Sequence, residues 1–254
     1  MNKVVKYLSF GLKNKTGVNF SGHRTVLSKG SGRAKRKFRL IDFNRVIQVP
    51  GLILKIEYDP NRSSNIALVC YKNGFLSYIL AINGMKKNMF INNGFLVSGA
   101  IKQLKDFDLG SFVCCIELRK GLGAKISRSA GSFSVILFNV EGKVCLRLPS
   151  GEERLLKNEN TAVLGVVSNI NNKLKKKTKA SDNIFLGKKP SVRGVAKNCV
   201  DHPHGGGRGK TSQLMLASNF TRRVLKGVPS IKKKKLKKRK KWVLKERRLQ
   251  NEKY

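Results

Sequence analysis

Residues Asn65 to Ile82 read NIALVCYKNGFLSYILAI. Two apolar, aromatic-rich runs flank Asn73-Gly74, a dipeptide that supplies the positive backbone angles of a type I′ turn, so the stretch predicts a β-hairpin. Upstream, VIQVPGLILKIEYD adds a further β-like run. Asp59-Pro60-Asn61 then forms a turn signal that sets geometry and leaves Arg62 free to reach outward. A meander or small barrel follows. Beyond Gly110, the runs FVCCIEL, SFSVILFNV, KVCLRLP, ERLLKN and AVLGVV recur with Glu141-Gly142 and Ser150-Gly151 at the turns. Short strands at that spacing argue for a second all-β barrel over βαβ units. Helical periodicity is nearly absent: only KKWVLKERRLQ near the C-terminus could wind into a helix, and Trp242, Leu244 and Leu249 are too sparse to give it a wide apolar face.

Charge sets the partner class. The 254 residues carry 54 Lys plus Arg against 14 Asp plus Glu, a formal net charge of +40 that repels itself unless a polyanion neutralises it. The excess is concentrated outside the strands. No acid occurs up to Lys37, NNKLKKKTKA occupies 171–180, and KKKKLKKRKK occupies 232–241. Such runs cannot pack on themselves, and they fit a chain threaded through phosphate, where each neutralised phosphate releases counterion. Insertion through a spanning helix is not expected, since the longest purely apolar run, Ile66 to Tyr71, is far shorter than the roughly 20 residues such a helix needs. Cys70, Cys114, Cys115, Cys145 and Cys199 are odd in number, and most sit in strand-like runs, as small core hydrophobes do in a reducing compartment. The start, MNKVVKYLSFGLKNK, has no secretory core but is basic and acid-free, as transit peptides are.

Several residues are placed to meet RNA. In GSGRAKRKFRLIDFNR, Gly30 and Gly32 permit close approach beside Arg33, Lys35, Arg36, Lys37 and Arg39, a candidate clamp on the phosphate backbone. RNA is favoured over DNA by the two barrels, a common platform for folded or single-stranded RNA. Phe75, Tyr71 and Tyr78 are candidates for base stacking, although strand aromatics more commonly belong to a core, which is the reading taken here.

The remaining concentration of chemistry is DHPHGGGRG, Asp201 to Gly209. As a metal site, Cys199, His202 and His204 offer three ligands where structural zinc takes four, and His23 alone supplies another imidazole. As a catalytic site, Asp201 can orient a histidine, but no activated nucleophile accompanies it. As an RNA-facing loop, Pro203 pushes His202 into extended geometry while Gly205, Gly206 and Gly207 expose amides able to cradle phosphate as a nest. The third reading agrees best with the charge. A basic DNA-compacting protein and a metal-dependent enzyme stand as alternatives at this point.

SVRGVAKNCVDHPHGGGRGK resembles the signature of the universal large-subunit ribosomal protein L-two family, whose usual form reads VRGxAMNPVDHPHGGGEGR. GSGRAKRKFRLIDFNR, IEYDPNRSSNIALVCYKNG and SRSAGSFSVILFNVEGKVCLRLPSGEERLL support the resemblance in the same order. It implies an all-β chain in which an OB-like barrel precedes an SH3-like barrel, with basic extensions embedded in ribosomal RNA. The expected division is a basic arm over 1–32, an OB-like domain over 33–107, an SH3-like barrel over 108–186 and a basic extension over 187–254. The resemblance implies no enzyme activity and no cofactor of the protein's own. It implies binding to large-subunit rRNA, neighbouring ribosomal proteins and the small subunit, and a loop, Asp201, His202, Pro203, His204, Gly205, Gly206 and Gly207, beside the peptidyl transferase region. RNA contacts are expected at the clamp residues and at Arg62, Arg128, Arg193, Lys197, Arg208 and Lys210. The run Lys232, Lys233, Lys234, Lys235, Lys237, Lys238, Arg239, Lys240 and Lys241 is expected to add more. Lys197, Cys199 and Arg208 depart from the family pattern, and Gly30-Ser31-Gly32-Arg33 replaces its Gly-Gly-Gly-His. Because family-like sequence begins early, no cleavable leader is expected. The abundance of Lys, Asn, Ile and Phe suits an AT-rich organelle genome, which points to a mitochondrial ribosome, with bacterial cytoplasm or plastid as the alternative.

Overall fold

The computed structural model describes residues 7–12, 18, 21–22, 35–45, 47, 49–91, 98–187, 190, 192–202, 204–207 and 242–245. The chain forms two compact units: Met1–Gly11, Arg36–Lys175 and Lys237–Tyr254 make the first, and Leu12–Lys35 with Lys176–Leu236 the second.

The first unit is all-β and holds both barrels. In the OB-like barrel, β1 (Ser9–Gly11) and β2 (Lys37–Arg39) form a ribbon, and β3 (Gly51–Glu57), β4 (Ile66–Tyr71), β5 (Leu76–Leu80) and β6 (Phe90–Ile91) form a sheet of order β5-β4-β3-β6. Ile41 bridges to Tyr78 and so carries the chain from ribbon to sheet. A bulge between Ile53 and Lys55 bends β3 and lets it turn a corner. The central hairpin is where the sequence places it, but its turn differs from the expected type I′. Tyr71 N–H bonds the Phe75 carbonyl at 2.9 Å and Gly74 N–H bonds the Tyr71 carbonyl at 2.8 Å, so three residues make the loop. Only Gly74, at φ 81°, takes a positive angle, which makes the turn a type I turn closed by a glycine bulge. Leu148 to Glu152 repeats this closure around Gly151.

The SH3-like barrel contains β7 (Ile101–Gln103), β8 (Phe112–Cys114), β9 (Ile116–Glu117), β10 (Ala124–Ile126), β11 (Ser134–Val140), β12 (Lys143–Arg147), β13 (Glu153–Lys157) and β14 (Thr161–Leu164). Its main sheet runs β15-β13-β12-β11-β8-β14-β7, where β15 is Val243–Lys245. Ile101–Gln103 pairs with Thr161–Val163 and so joins this sheet. Within the one stretch that could wind into a helix, the described residues add an edge strand: Leu155 N–H bonds the Trp242 carbonyl at 2.8 Å, and Glu153 pairs with Lys245. Trp242, Val243 and Leu244 suit a pleated edge better than a helix with so few apolar positions.

Two clusters of buried side chains form the interior. The first, around Ile53, Ile66, Val69, Tyr71, Tyr78 and Ile82, also takes in Cys114, Val163 and Val167 from the SH3-like barrel, so the barrels share core across their junction. The second, around Leu104, Val113, Ile136 and Leu146, belongs to the SH3-like barrel. Tyr71 and Tyr78 are each 1% exposed, as core residues should be, whereas Phe75 is 63% exposed and so departs from the core reading. It follows the turn at the hairpin tip, where no facing sheet can cover it.

In the second unit the described ordered elements are helix α1 (Ala180–Phe185) and a 3-10 turn at Gly194–Ala196, with no buried side chain in α1. Among the described residues no helix is long and apolar enough to cross a membrane.

Candidate RNA interface

The IEYDPNR turn positions the first cationic group. Asp59 is fully buried. Its carboxylate accepts from Asn61 N–H at 2.9 Å and from Arg62 Nε at 2.7 Å, and Arg39 lies 3.9 Å away. Arg39 also approaches Glu57 at 3.8 Å, and Tyr78 Oη donates to Glu57 at 3.2 Å. Burial, reinforced by the Glu57 charge, pushes the Tyr78 phenol above its usual pKa. Arg62 is therefore not free to swing outward, as its position after the turn suggests, because its Nε is anchored and the terminal nitrogens alone remain for a partner. Arg39 is engaged by two carboxylates and is a weaker candidate for phosphate than its place in the basic run implies.

Arg128 comes from the SH3-like barrel, on a loop where Ser127 takes φ 51° and shares a 2.8 Å hydroxyl contact with Ser134. That loop is tied to the turn bearing Arg62 by Ala130 N–H, which donates to Ser63 Oγ at 3.1 Å, and from beyond β14 Asn169 Nδ2 donates to the Ser63 carbonyl at 2.7 Å. Arg128 is exposed and, among the described residues, no carboxylate lies within ion-pair reach of it. The two arginines line a groove of about 790 Å³ with Phe38, Phe43, Lys125 and Ser129. Phe43, Lys125 and the serines were not legible as site residues, because nothing in the sequence announces that the two loops meet.

The Asp201–Gly207 loop belongs to the second unit and is internally closed. Asp201 and His202 N–H both bond the Asn198 carbonyl, at 3.0 and 3.1 Å, and Gly205 N–H bonds the His202 carbonyl at 2.8 Å. Gly206 N–H bonds the Lys197 carbonyl at 3.3 Å. The Gly205 and Gly206 amides are thus spent inside the loop, which corrects the nest expected of them. His202 is 7% exposed, and its Nδ1 accepts from His204 N–H at 3.0 Å. The two imidazoles meet edge to face at 4.9 Å. A Cβ at Gly194 would collide with the His202 ring, and one at Gly205 with the Asn198 carbonyl, so both glycines are close-approach positions. Arg193, Lys197, Cys199 and Asp201 are exposed around this knot. Among the described residues no three metal-ligating side chains gather to hold an ion.

Of the clamp, Lys35 and Lys37 are exposed, and the Lys37 carbonyl accepts from Asn61 Nδ2 at 2.6 Å. Arg36 is half-buried. Arg33, Pro203, Arg208, Lys210 and the basic run 232–241 lie outside the described residues.

Two family models match in series: Ribosomal Proteins L2, RNA binding N-terminal domain, over residues 5–92, and Ribosomal Proteins L2, C-terminal domain, over 97–220. The large ribosomal subunit protein uL2 of a Wolbachia from Brugia malayi is 46% identical over 83% of this chain and 78% of its own length. The chain belongs to the ribosomal protein L2 family. The large ribosomal subunit protein uL2m of Reclinomonas americana is 43% identical over 82% of this chain and 76% of its own, and the uL2 of Ehrlichia canis is 44% identical over 77% and 72%. The break between the two L2 models, at 92–97, coincides with the exchange of sheets between β6 and β7. Arg62 and Arg128 fall one in each L2 domain, and the histidine loop lies inside the second, whereas β15 lies beyond the matched residues.

Proposed function

We propose that this chain is a structural constituent of the large ribosomal subunit that binds large-subunit rRNA and performs no catalysis of its own. Arg62 and Arg128, carried by different barrels on one groove, support the reading, because a half-buried cation anchored through its Nε and an exposed one beside it suit the phosphates of a folded strand. The excess of +40 supplies the sequence-independent part of the affinity. The basic segments at 1–32 and 187–254 are embedded in rRNA, flanking an OB-like domain and an SH3-like barrel. The Asp201–Gly207 loop serves the peptidyl transferase region as a shaped surface around His202, with the RNA performing the chemistry, and contacts with the small subunit support subunit association.

The site of action is the mitochondrial ribosome, with the protein encoded in the organelle, a reading supported by the AT-rich type of composition and compatible with likeness to a uL2m protein. The tagged full chain should co-sediment with large subunits on sucrose gradients at moderate salt and be enriched in purified mitochondria. Recovery only from the free fraction would sink the ribosomal reading. Ribosomal recovery outside mitochondria would sink the location alone.

A further inference from the structure

The segment Asp42 to Arg45 rivets the two barrels together. Asp42 accepts from the Asn44 and Arg45 amides at 3.0 and 2.8 Å, a local turn that helps hold Arg45 at φ 46°. Arg45 is buried, which lowers the pKa of its guanidinium, and it donates to the Gly99 carbonyl at 2.8 Å. Next to it, the Phe43 carbonyl accepts from Ala124 N–H at 3.0 Å across the junction, and a Cβ at Gly123 would overlap Asn44. Phe43 is thus tied to the SH3-like barrel by its own carbonyl and to the OB-like barrel by its neighbour Asp42, whose N–H bonds the Tyr78 carbonyl at 2.8 Å.

Its ring is placed with equal care. The Arg128 guanidinium carbon lies 5.0 Å from the ring centroid and that of Arg62 lies 5.8 Å from it. Both fall within the reach of cation–π attraction, about 6 Å. Two like charges drawn to one ring from different barrels would otherwise repel, and Asp59 offsets the charge of Arg62 alone. We propose that Phe43 is the positioning residue of the groove, its ring holding Arg62 and Arg128 at the separation at which both grip the phosphate backbone of one RNA strand. The inference rests on the RNA-binding reading of that groove and adds to it a residue carrying no charge.

The test measures affinity of the full chain for an in vitro transcript of the large-subunit rRNA across a salt series. Arg62→Ala and Arg128→Ala establish whether the groove binds at all. Phe43→Leu should weaken binding roughly threefold to tenfold and flatten the salt slope by about one phosphate contact, and Phe43→Tyr should restore both. Phe43→Leu should cost less on the Arg128→Ala background than on the wild type, because the ring would have one arginine fewer to hold. Pentafluorophenylalanine placed at position 43 keeps shape and packing while reversing the ring quadrupole, so it too should weaken binding even if the leucine variant fails to fold. If the arginine variants weaken binding while the fluorinated ring does not, the role of Phe43 is overturned and the groove stands. If neither arginine variant weakens binding, the groove itself is not the interface.

Discussion

In the groove, the segments that bear the two arginines are joined by parts of the chain far apart in sequence: Ala130 bonds Ser63, Asn169 bonds Ser63, and the Phe43 ring lies within about 6 Å of both guanidinium groups. In the segment from Arg193 to Gly207, the hydrogen bonds among the described residues join positions close in sequence, such as Asp201 to Asn198, Gly205 to His202 and His204 to His202. The groove is a consequence of tertiary structure and is lost when the barrels part. The loop is a local knot whose shape depends on small residues and one imidazole. Damage to one region should therefore register in global stability, and damage to the other in local protection only.

The largest effect belongs to the groove. Asp59→Asn keeps size and the turn but leaves the Arg62 and Arg39 charges without their buried partner, an uncompensated change that should cost about 3 kcal/mol of unfolding free energy in urea melts of the full chain. The loop should be unaffected until the barrels unfold. A loss below about 0.5 kcal/mol would mean that Asp59 is not the anchor its burial implies.

Gly205→Ala comes next and reverses the pattern. The added Cβ meets the Asn198 carbonyl, backbone that has no flexible end to yield, so the knot should open at a local cost of about 2 kcal/mol. Amide exchange at Asp201, His202 and Gly206 should speed up while the urea midpoint of the barrels holds. A shift of the barrel midpoint as large as that of Asp59→Asn would erase the distinction between the two regions.

The contrast also accounts for what could be read in advance. Strand positions were legible because alternation and turn residues are local, as at Asn65 to Ile82 and around Gly151. The turn type was not, because Asn73-Gly74 fits both the two-residue loop and the three-residue loop, and the register Cys70 with Leu76 decides between them. The strand at 243–245 was missed since its partner, Glu153–Arg154, lies far back in the chain and basic neighbours mask the short apolar alternation. Arg62 was found as a cation but misjudged as mobile, although Asp59 three residues earlier was in plain view. That the carboxylate would be buried depends on the folded barrel. His202 and its glycines were recognisable by resemblance, yet the nest inferred for them failed because amides that look free in sequence are already paired inside the loop, Gly205 to the His202 carbonyl and Gly206 to that of Lys197.

The smallest effect separates the structural use of His202 from its proposed service to the ribosome. His202 Nδ1 acts on the His204 amide as an acceptor two residues back, a task that Asn performs in turns of the same span. His202→Ala removes the acceptor and should raise exchange at the His204 amide about fivefold, near 1 kcal/mol, without moving the barrel midpoint. His202→Asn should recover most of that protection. Translation by ribosomes carrying the two variants then gives the decisive reading. If His202→Asn restores the amide but translation stays impaired, the imidazole serves the RNA beyond shaping its loop. If protection and translation recover together, a hydrogen-bond acceptor is all the position requires, and the loop contributes through its shape.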